Sequence, residues 1–181
     1  TRLQVEHPVT ECITGVDLVE LMIRVASGEE LPFRQADVTL KGWAIETRIY
    51  AEDPYRGFLP STGRLVKYQQ PEKLEGVRID SGVAEGSEIS MFYDPMIAKL
   101  ITNADNREQA IDRMTFALNS FQINGVNHNI DFLSAVMANP RFQKGKFNTG
   151  FIAEEFPSGF SGTELSEEIM HRMYSVAAVF A

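Results

Sequence analysis

TLKGWAIETRIY, residues 39–50, alternates along its length. Trp43, Ile45, Thr47 and Ile49 fall on one side of an extended chain. Ala44, Glu46, Arg48 and Tyr50 fall on the other, the pattern of a strand with one face turned to a core. Beyond it, Asp53-Pro54 and Pro60-Ser61-Thr62-Gly63 read as turns. Further strands are expected over residues 64–69, 77–81, 88–93 and 97–102, punctuated by Gly76, Gly82 and Gly86. The period then becomes helical. Asn103 or Asp105 is expected to cap a helix carrying Ala110, Ile111, Met114, Ala117, Leu118 and Phe121. Asn124-Gly125 reads as a turn. Asn127 or Asn129 caps the next helix, with Ile130, Leu133, Val136 and Met137 inward and Asn139-Pro140 as its stop. Thr149 opens a short helix through Phe151, Ile152 and Phe156. Strands first and helices after predict an α+β fold with antiparallel strands.

Upstream, TRLQVEHP, residues 1–8, reads as a short strand. Leu3 and Val5 point one way; Arg2, Gln4 and Glu6 point the other, roughly 6.5–7 Å apart. A cation, an amide and a carboxylate in a row can hold a small anion and take a proton from it. The ordinary alternative is a solvated face. His7-Pro8 is expected to stop the strand. Thr10 or Thr14 then caps a helix with Val16, Val19, Met22, Ile23 and Ala26 on its apolar face, closed by Gly28.

Downstream, residues 157–162 read as a linker, and Ser161 with Glu164 fits a capping box. Ile169, Met173, Val176 and Phe180 line one stripe of a final helix. Three units are expected: 1–30, 31–156 and 157–181. The chain opens with Thr inside a motif and carries no stop signal at Ala181, so it reads as part of a longer protein.

The 181 residues are 44% apolar, enough to bury a core, and carry a formal charge of −8. That balance speaks against nucleic-acid binding, which needs a basic face. Cys12 is the single cysteine, so no intrachain disulfide is expected, as suits a reducing compartment. No apolar run approaches the roughly 18 residues of a membrane span. No signal peptide is visible, though a chain that starts within a motif says little about targeting. No His/Cys/Asp/Glu spacing suggests a metal site, and no glycine loop of P-loop or dinucleotide type is present. His7, His128 and His171 read as structural or solvated, and Cys12 as a small buried side chain.

TRLQVEHPVTE, followed by ITGVDLVELMIRVASGEELP, resembles the end of the ATP-grasp core of the biotin carboxylases. ETRIYAEDP with FLPSTG behind it, SMFYDPMIAKLI, and INGVNHNIDFL resemble that family's C-terminal domain. The resemblance runs nearly unbroken from Thr1 to about Phe156. GWAIETRIYAEDPY, GVRIDSGV, YDPMIAKLIT and the tail FPSGFSG resemble the branch serving acyl-CoA carboxylases, its propionyl-CoA members in particular.

That resemblance implies a ligase in which ATP phosphorylates bicarbonate to carboxyphosphate, and the CO2 released carboxylates N1′ of biotin. By resemblance Glu6 is the base that deprotonates bicarbonate, while Arg2, Gln4 and the backbone N–H of Val5 hold it. Arg48 stabilises the enolate-like oxygen of the biotin ureido group, where a fixed guanidinium suits the developing charge. The plain alternative for Arg48 is a local ion pair with Glu46. Asp94 is placed near the biotin pocket, against the alternative of a structural turn aspartate; Phe58 either walls the biotin ring or belongs to the core. Residues 1–30 would end the ATP-grasp core and 31–156 form the C-terminal domain. Residues 157–181 would be a linker and the start of a subunit-docking domain. Implied cofactors are ATP, Mg2+ with ligands upstream of Thr1, and biotin on a carrier domain outside this chain. Implied partners are that carrier domain and a carboxyltransferase β subunit, in a bacterial cytoplasm or the mitochondrial matrix. The chain alone is expected to be inactive. The competing readings are a structural module that docks a carboxyltransferase subunit, and an ATP-grasp ligase that forms carboxyphosphate without biotin.

Overall fold

The structure, a computed structural model, describes residues 2–162 and 166–180. It opens with helices α1 (His7–Thr14) and α2 (Leu18–Ala26). Strand β1 (Trp43–Tyr50) follows, then the short β2 (Glu52–Asp53), β3 (Leu59–Pro60), β4 (Gly63–Arg64) and β5 (Lys67–Gln69). Next come β6 (Val77–Ser81), β7 (Glu88–Ile89) and the long β8 (Met96–Ala104). The remainder is α3 (Arg107–Asn119), β9 (Gln122–Asn124), α4 (Ile130–Ala138), α5 (Pro140–Gln143), α6 (Phe151–Glu155) and α7 (Glu167–Phe180). The α+β expectation holds.

A three-stranded antiparallel sheet in the order β1-β8-β6 forms the frame. Central strand β8 is buried on both faces, which is why it reads as a near-continuous apolar run. On one face Ile45, Thr47 and Ile49 of β1 lie opposite Thr102, Leu100 and Ala98 of β8. Helix α3 covers that face with Ala110, Ile111, Met114, Ala117 and Leu118, all buried. The two polar side chains in this layer are satisfied locally. Thr102 Oγ1 donates to the Ala110 carbonyl at 2.8 Å, and Thr47 Oγ1 to the Met114 sulfur at 3.3 Å. The remaining strands form three separate two-stranded pairs, β2–β3, β4–β7 and β5–β9.

Several local expectations are corrected. Residues 2–4 form no strand, and His7-Pro8 starts a helix rather than ending a strand. Proline pre-sets the helical φ, and its missing N–H is one that a first turn leaves unpaired anyway. The caps of α2 and α3 are Asp17 and Asn106, whose carboxylate and amide oxygens accept from Glu20 and Gln109 N–H. Thr10, Thr14, Asn103 and Asp105 do not fill those positions. Strand β8 runs to Ala104 and so takes up Asn103, while Asp105 lies in the bend between it and the cap. Residues 64–69 divide into β4 and β5, and residues 88–93 keep only β7, leaving Met91, Phe92 and Tyr93 exposed. Thr149 does not cap α6; Gly150 stands there. Of the expected capping box, Glu164 lies outside the described residues; α7 begins after Ser166, whose Oγ accepts from Ile169 N–H.

Helix α2 buries no residue. Leu18, Leu21, Met22 and Val25 line an open apolar groove of about 570 Å³ with Leu31 and Phe33.

Candidate active site

The second face of the sheet is charged. Arg48 of β1, Lys99 of β8 and Asp80 of β6 are register partners, so they form one row across the three strands. Glu46, Ile101 and Arg78 form the next row. Lys99 pairs with Asp80 at 3.2 Å, and Arg78 grips both Asp80 oxygens at 2.8 and 3.0 Å. Burial would raise the Asp80 carboxyl, but hydrogen bonds from Arg78 and Lys99 outweigh it and hold the group below the usual range.

Helix α1 lies over this face and closes it with two carboxylates. Glu11 accepts from Arg78 at 2.7 Å and from the Leu18 N–H at 2.8 Å. Glu6, at the N-cap of α1, makes no capping bond; its carboxylate accepts from Arg48 Nη2 at 3.0 Å. Arg48 also stands 3.9 Å from Glu46. The Glu46 side chain is only 5% exposed, and its Oε2 has no hydrogen-bond partner. Burial pushes its carboxyl up, against the opposing pull of Lys99 and then Arg48. Arg48 is therefore a half-exposed cation flanked by a solvent-facing acid and a buried one. Such an arrangement can present a fixed positive charge to a developing anion beside an acid able to move a proton.

The sequence-derived site residues divide. Glu6 and Arg48 are brought together across 42 positions of chain. Arg2 is exposed and donates to the carbonyl of Leu3 at 2.9 Å; no described hydrogen bond or ion pair joins it to Glu6 or Arg48. Gln4 presents its carbonyl to both the N–H and Nδ1 of His7, shaping the turn that leads through Val5 into α1. The Asp94 carboxylate accepts from the Met96 N–H at 2.9 Å. It faces Glu52, whose carboxyl is raised by burial and then by that neighbouring charge. No described bond joins Asp94 to an arginine. Phe58, at φ 62°, packs edge-on to Phe132 with centroids 4.8 Å apart, within an aromatic cluster that includes Phe156 and Phe160. Among the described residues no group of three His, Cys, Asp or Glu side chains is gathered to hold a metal ion.

Sequence reasoning missed Lys99, Asp80 and Arg78 as parts of this face. Only strand register aligns them, and register is invisible until β8 is known to be central. It also missed a second use of Asn129, whose amide reaches β1 instead of capping α4.

The model of the biotin carboxylase C-terminal domain matches residues 46–154. That of the carbamoyl-phosphate synthase L chain ATP-binding domain matches residues 1–34. A propionyl-CoA carboxylase alpha chain of Ruegeria pomeroyi is 57% identical over 197 residues, covering 98% of this chain and 29% of the relative. The mitochondrial propionyl-CoA carboxylase alpha chain of Sus scrofa is 55% identical over 179 residues, covering 98% and 24%. The biotin carboxylase domain of Hydrogenobacter thermophilus 2-oxoglutarate carboxylase was solved with MgADP, ADP and bicarbonate. It superposes with a TM-score of 0.85 at 46% identity, covering 91% of this chain and 36% of that one. The chain thus spans 24–29% of the length of these curated relatives.

Proposed function

The chain belongs to the biotin carboxylase family, and on that premise we propose that it supplies part of the carboxylating site of an acyl-CoA carboxylase acting on propionyl-CoA. Residues 1–30 would complete an ATP-grasp core, in keeping with the match over 1–34. Residues 31–156 would form the C-terminal domain. By the family resemblance, ATP and Mg2+ would bind chiefly to the part of the ATP-grasp core upstream of Thr1. Bound there, they supply the activated phosphoryl group.

The observation that carries this reading is the 3.0 Å contact between Arg48 and Glu6. It puts a base and a fixed cation side by side at the mouth of a charged face. Glu6 takes the proton of bicarbonate, which Arg2, Gln4 and the Val5 N–H hold from the segment just before α1. Arg48 leaves Glu6 to meet the ureido oxygen of biotin as that oxygen becomes anionic. Its exposure permits the move, and Glu46 behind it keeps its charge compensated. Asp94, at the far end of the β1–β8 pair, borders the biotin side. Phe58 is set in the aromatic cluster and acts through packing.

In the complete carboxylase, Arg48→Ala should lower biotin carboxylation by about 10²–10³-fold, the scale of losing one donor aimed at developing charge. Unchanged turnover would overturn the reading.

A second reading rests on α7. Ile169, Met173, Val176 and Val179 are all exposed, at 46%, 55%, 59% and 80%. An apolar stripe of this kind suits docking, here to a carboxyltransferase β subunit, with the carrier domain beyond. Truncation at Phe156 should impair subunit assembly more than biotin carboxylation; equal loss of both would count against it. Among the described residues no helix is long and apolar enough to cross a membrane. One relative is bacterial and another is named mitochondrial, which fits a bacterial cytoplasm or a mitochondrial matrix.

A further inference from the structure

The N-cap side chains of α1 and α4 both forgo capping, and both turn to Arg48. Glu6 caps no N–H of α1 and binds the Arg48 guanidinium. Asn129 caps no N–H of α4 and binds the Arg48 backbone. Its Nδ2 donates to the Arg48 carbonyl at 3.0 Å, and its Oδ1 accepts from the Tyr50 N–H at 2.9 Å. Its own N–H donates to the Tyr50 carbonyl at 3.2 Å. Only one orientation of the amide satisfies both neighbours, because one offers an acceptor and the other a donor. The residue is 6% exposed, so these bonds face little competition from water.

The place of this clasp matters. β1 is an edge strand; its partner β8 lies on one side alone. The register of the pair slips between Ile49 and Tyr50, one residue past Arg48, where Ile97 of β8 has no partner on β1. A bulge disrupts the ladder locally, and on an edge strand the outward backbone groups beside it have no second strand to pair with. Asn129 occupies those groups on both sides of the slip, as a third strand would.

We propose that Asn129 is a positioning residue that holds the Arg48 guanidinium on target for the ureido group of biotin. The inference rests on the assignment of Arg48 to biotin given above. Its chemistry is purely geometric: Asn129 touches no substrate and moves no proton. It therefore bears on the biotin half-reaction and not on phosphorylation of bicarbonate, which belongs to the segment before α1 and the nucleotide site.

The test uses the complete carboxylase with free biotin, bicarbonate and ATP, and two variants. Asn129→Asp keeps the acceptor for Tyr50 and the side-chain volume but sets an oxygen against the Arg48 carbonyl. Asn129→Ala removes both bonds. Biotin carboxylation should fall by about 10–100-fold in each, the scale of misplacing a catalytic group by about 1 Å. ADP release that depends on bicarbonate, measured without biotin, should stay at the parent rate. In an Arg48→Ala background, adding Asn129→Asp or Asn129→Ala should cause no further loss, because the two residues act as one unit. Parallel loss of both half-reactions would reduce Asn129 to a structural role and overturn the inference, as would full biotin carboxylation in Asn129→Asp. If Arg48→Ala itself keeps full activity, the underlying assignment of Arg48 fails instead.

Discussion

Arg48 and Glu6 meet at 3.0 Å although 42 residues separate them. One belongs to an edge strand and the other is the N-cap of a helix laid over the same sheet face. Both side chains are substantially exposed, at 40% and 57%. A pair so placed contributes little to stability, about 0–1 kcal/mol, and remains free to exchange partners.

Glu6→Gln separates the two roles of that carboxyl. The amide still accepts a hydrogen bond from Arg48 but cannot act as a base. Bicarbonate-dependent ADP release in the complete carboxylase should fall by about 10²–10⁴-fold, the usual contribution of a positioned base. Thermal unfolding should move by no more than about 1 kcal/mol. A large loss of stability with intact phosphorylation would reverse the assignment.

Glu46 should make stability depend on pH. Its folded carboxyl is raised above the ordinary value near 4.5, first by burial. A raised acid favours the folded state most when protonated, below that value, and the contribution is lost as pH climbs through the folded one. Glu46→Gln mimics the protonated form. Its melting temperature should exceed that of the parent at pH 8 and converge with it near pH 4. Calorimetry across that range gives the answer; a Glu46→Gln protein less stable than the parent at pH 8 would show that Lys99 and Arg48 more than repay the burial.

The core beneath the site should respond in the usual way. Met114 is fully buried and receives the Thr47 hydroxyl on its sulfur. Met114→Ala should cost about 2–5 kcal/mol by urea denaturation. Val66→Ala, at a side chain 70% exposed, should stay within about 0.5 kcal/mol.

Gly125 holds the turn after β9 at φ +104°, with the Arg64 carbonyl oxygen standing where a Cβ would go. Gly125→Ala would force β4 and β9 apart as well as strain the backbone, and should cost more than about 1 kcal/mol. A melting temperature equal to the parent's would contradict that packing.

Much of this architecture was legible in the chain. The alternation from Trp43 to Tyr50 identified β1 and its buried face, because a strand places every second side chain on the same side whatever surrounds it. The helical spacing of Ala110, Ile111, Met114, Ala117 and Leu118 likewise marked the face of α3 that meets the sheet. Motifs around Arg2, Glu6 and Arg48 pointed to a family and to its chemistry. The errors cluster where two local signals compete. Pro8, read as the end of a strand, serves as well in the first turn of a helix, and Asn129, read as a cap, gives its amide to β1 instead.

What only the tertiary structure decided is proximity. Alternation says that Glu46 and Arg48 share a face, but not that Lys99 and Asp80 continue the row or that α1 lies over it. Those facts follow from β8 taking the central place between β1 and β6 and from the register of each pair. Pairing of that kind is set by long-range burial, which no local window of sequence contains. The same holds for Glu6 and Asn129. Asn129 was readable as the start of a helix and Glu6 only as part of a strand face, yet the free edge and the uncovered charge of β1 drew both side chains away from the helix ends and onto Arg48.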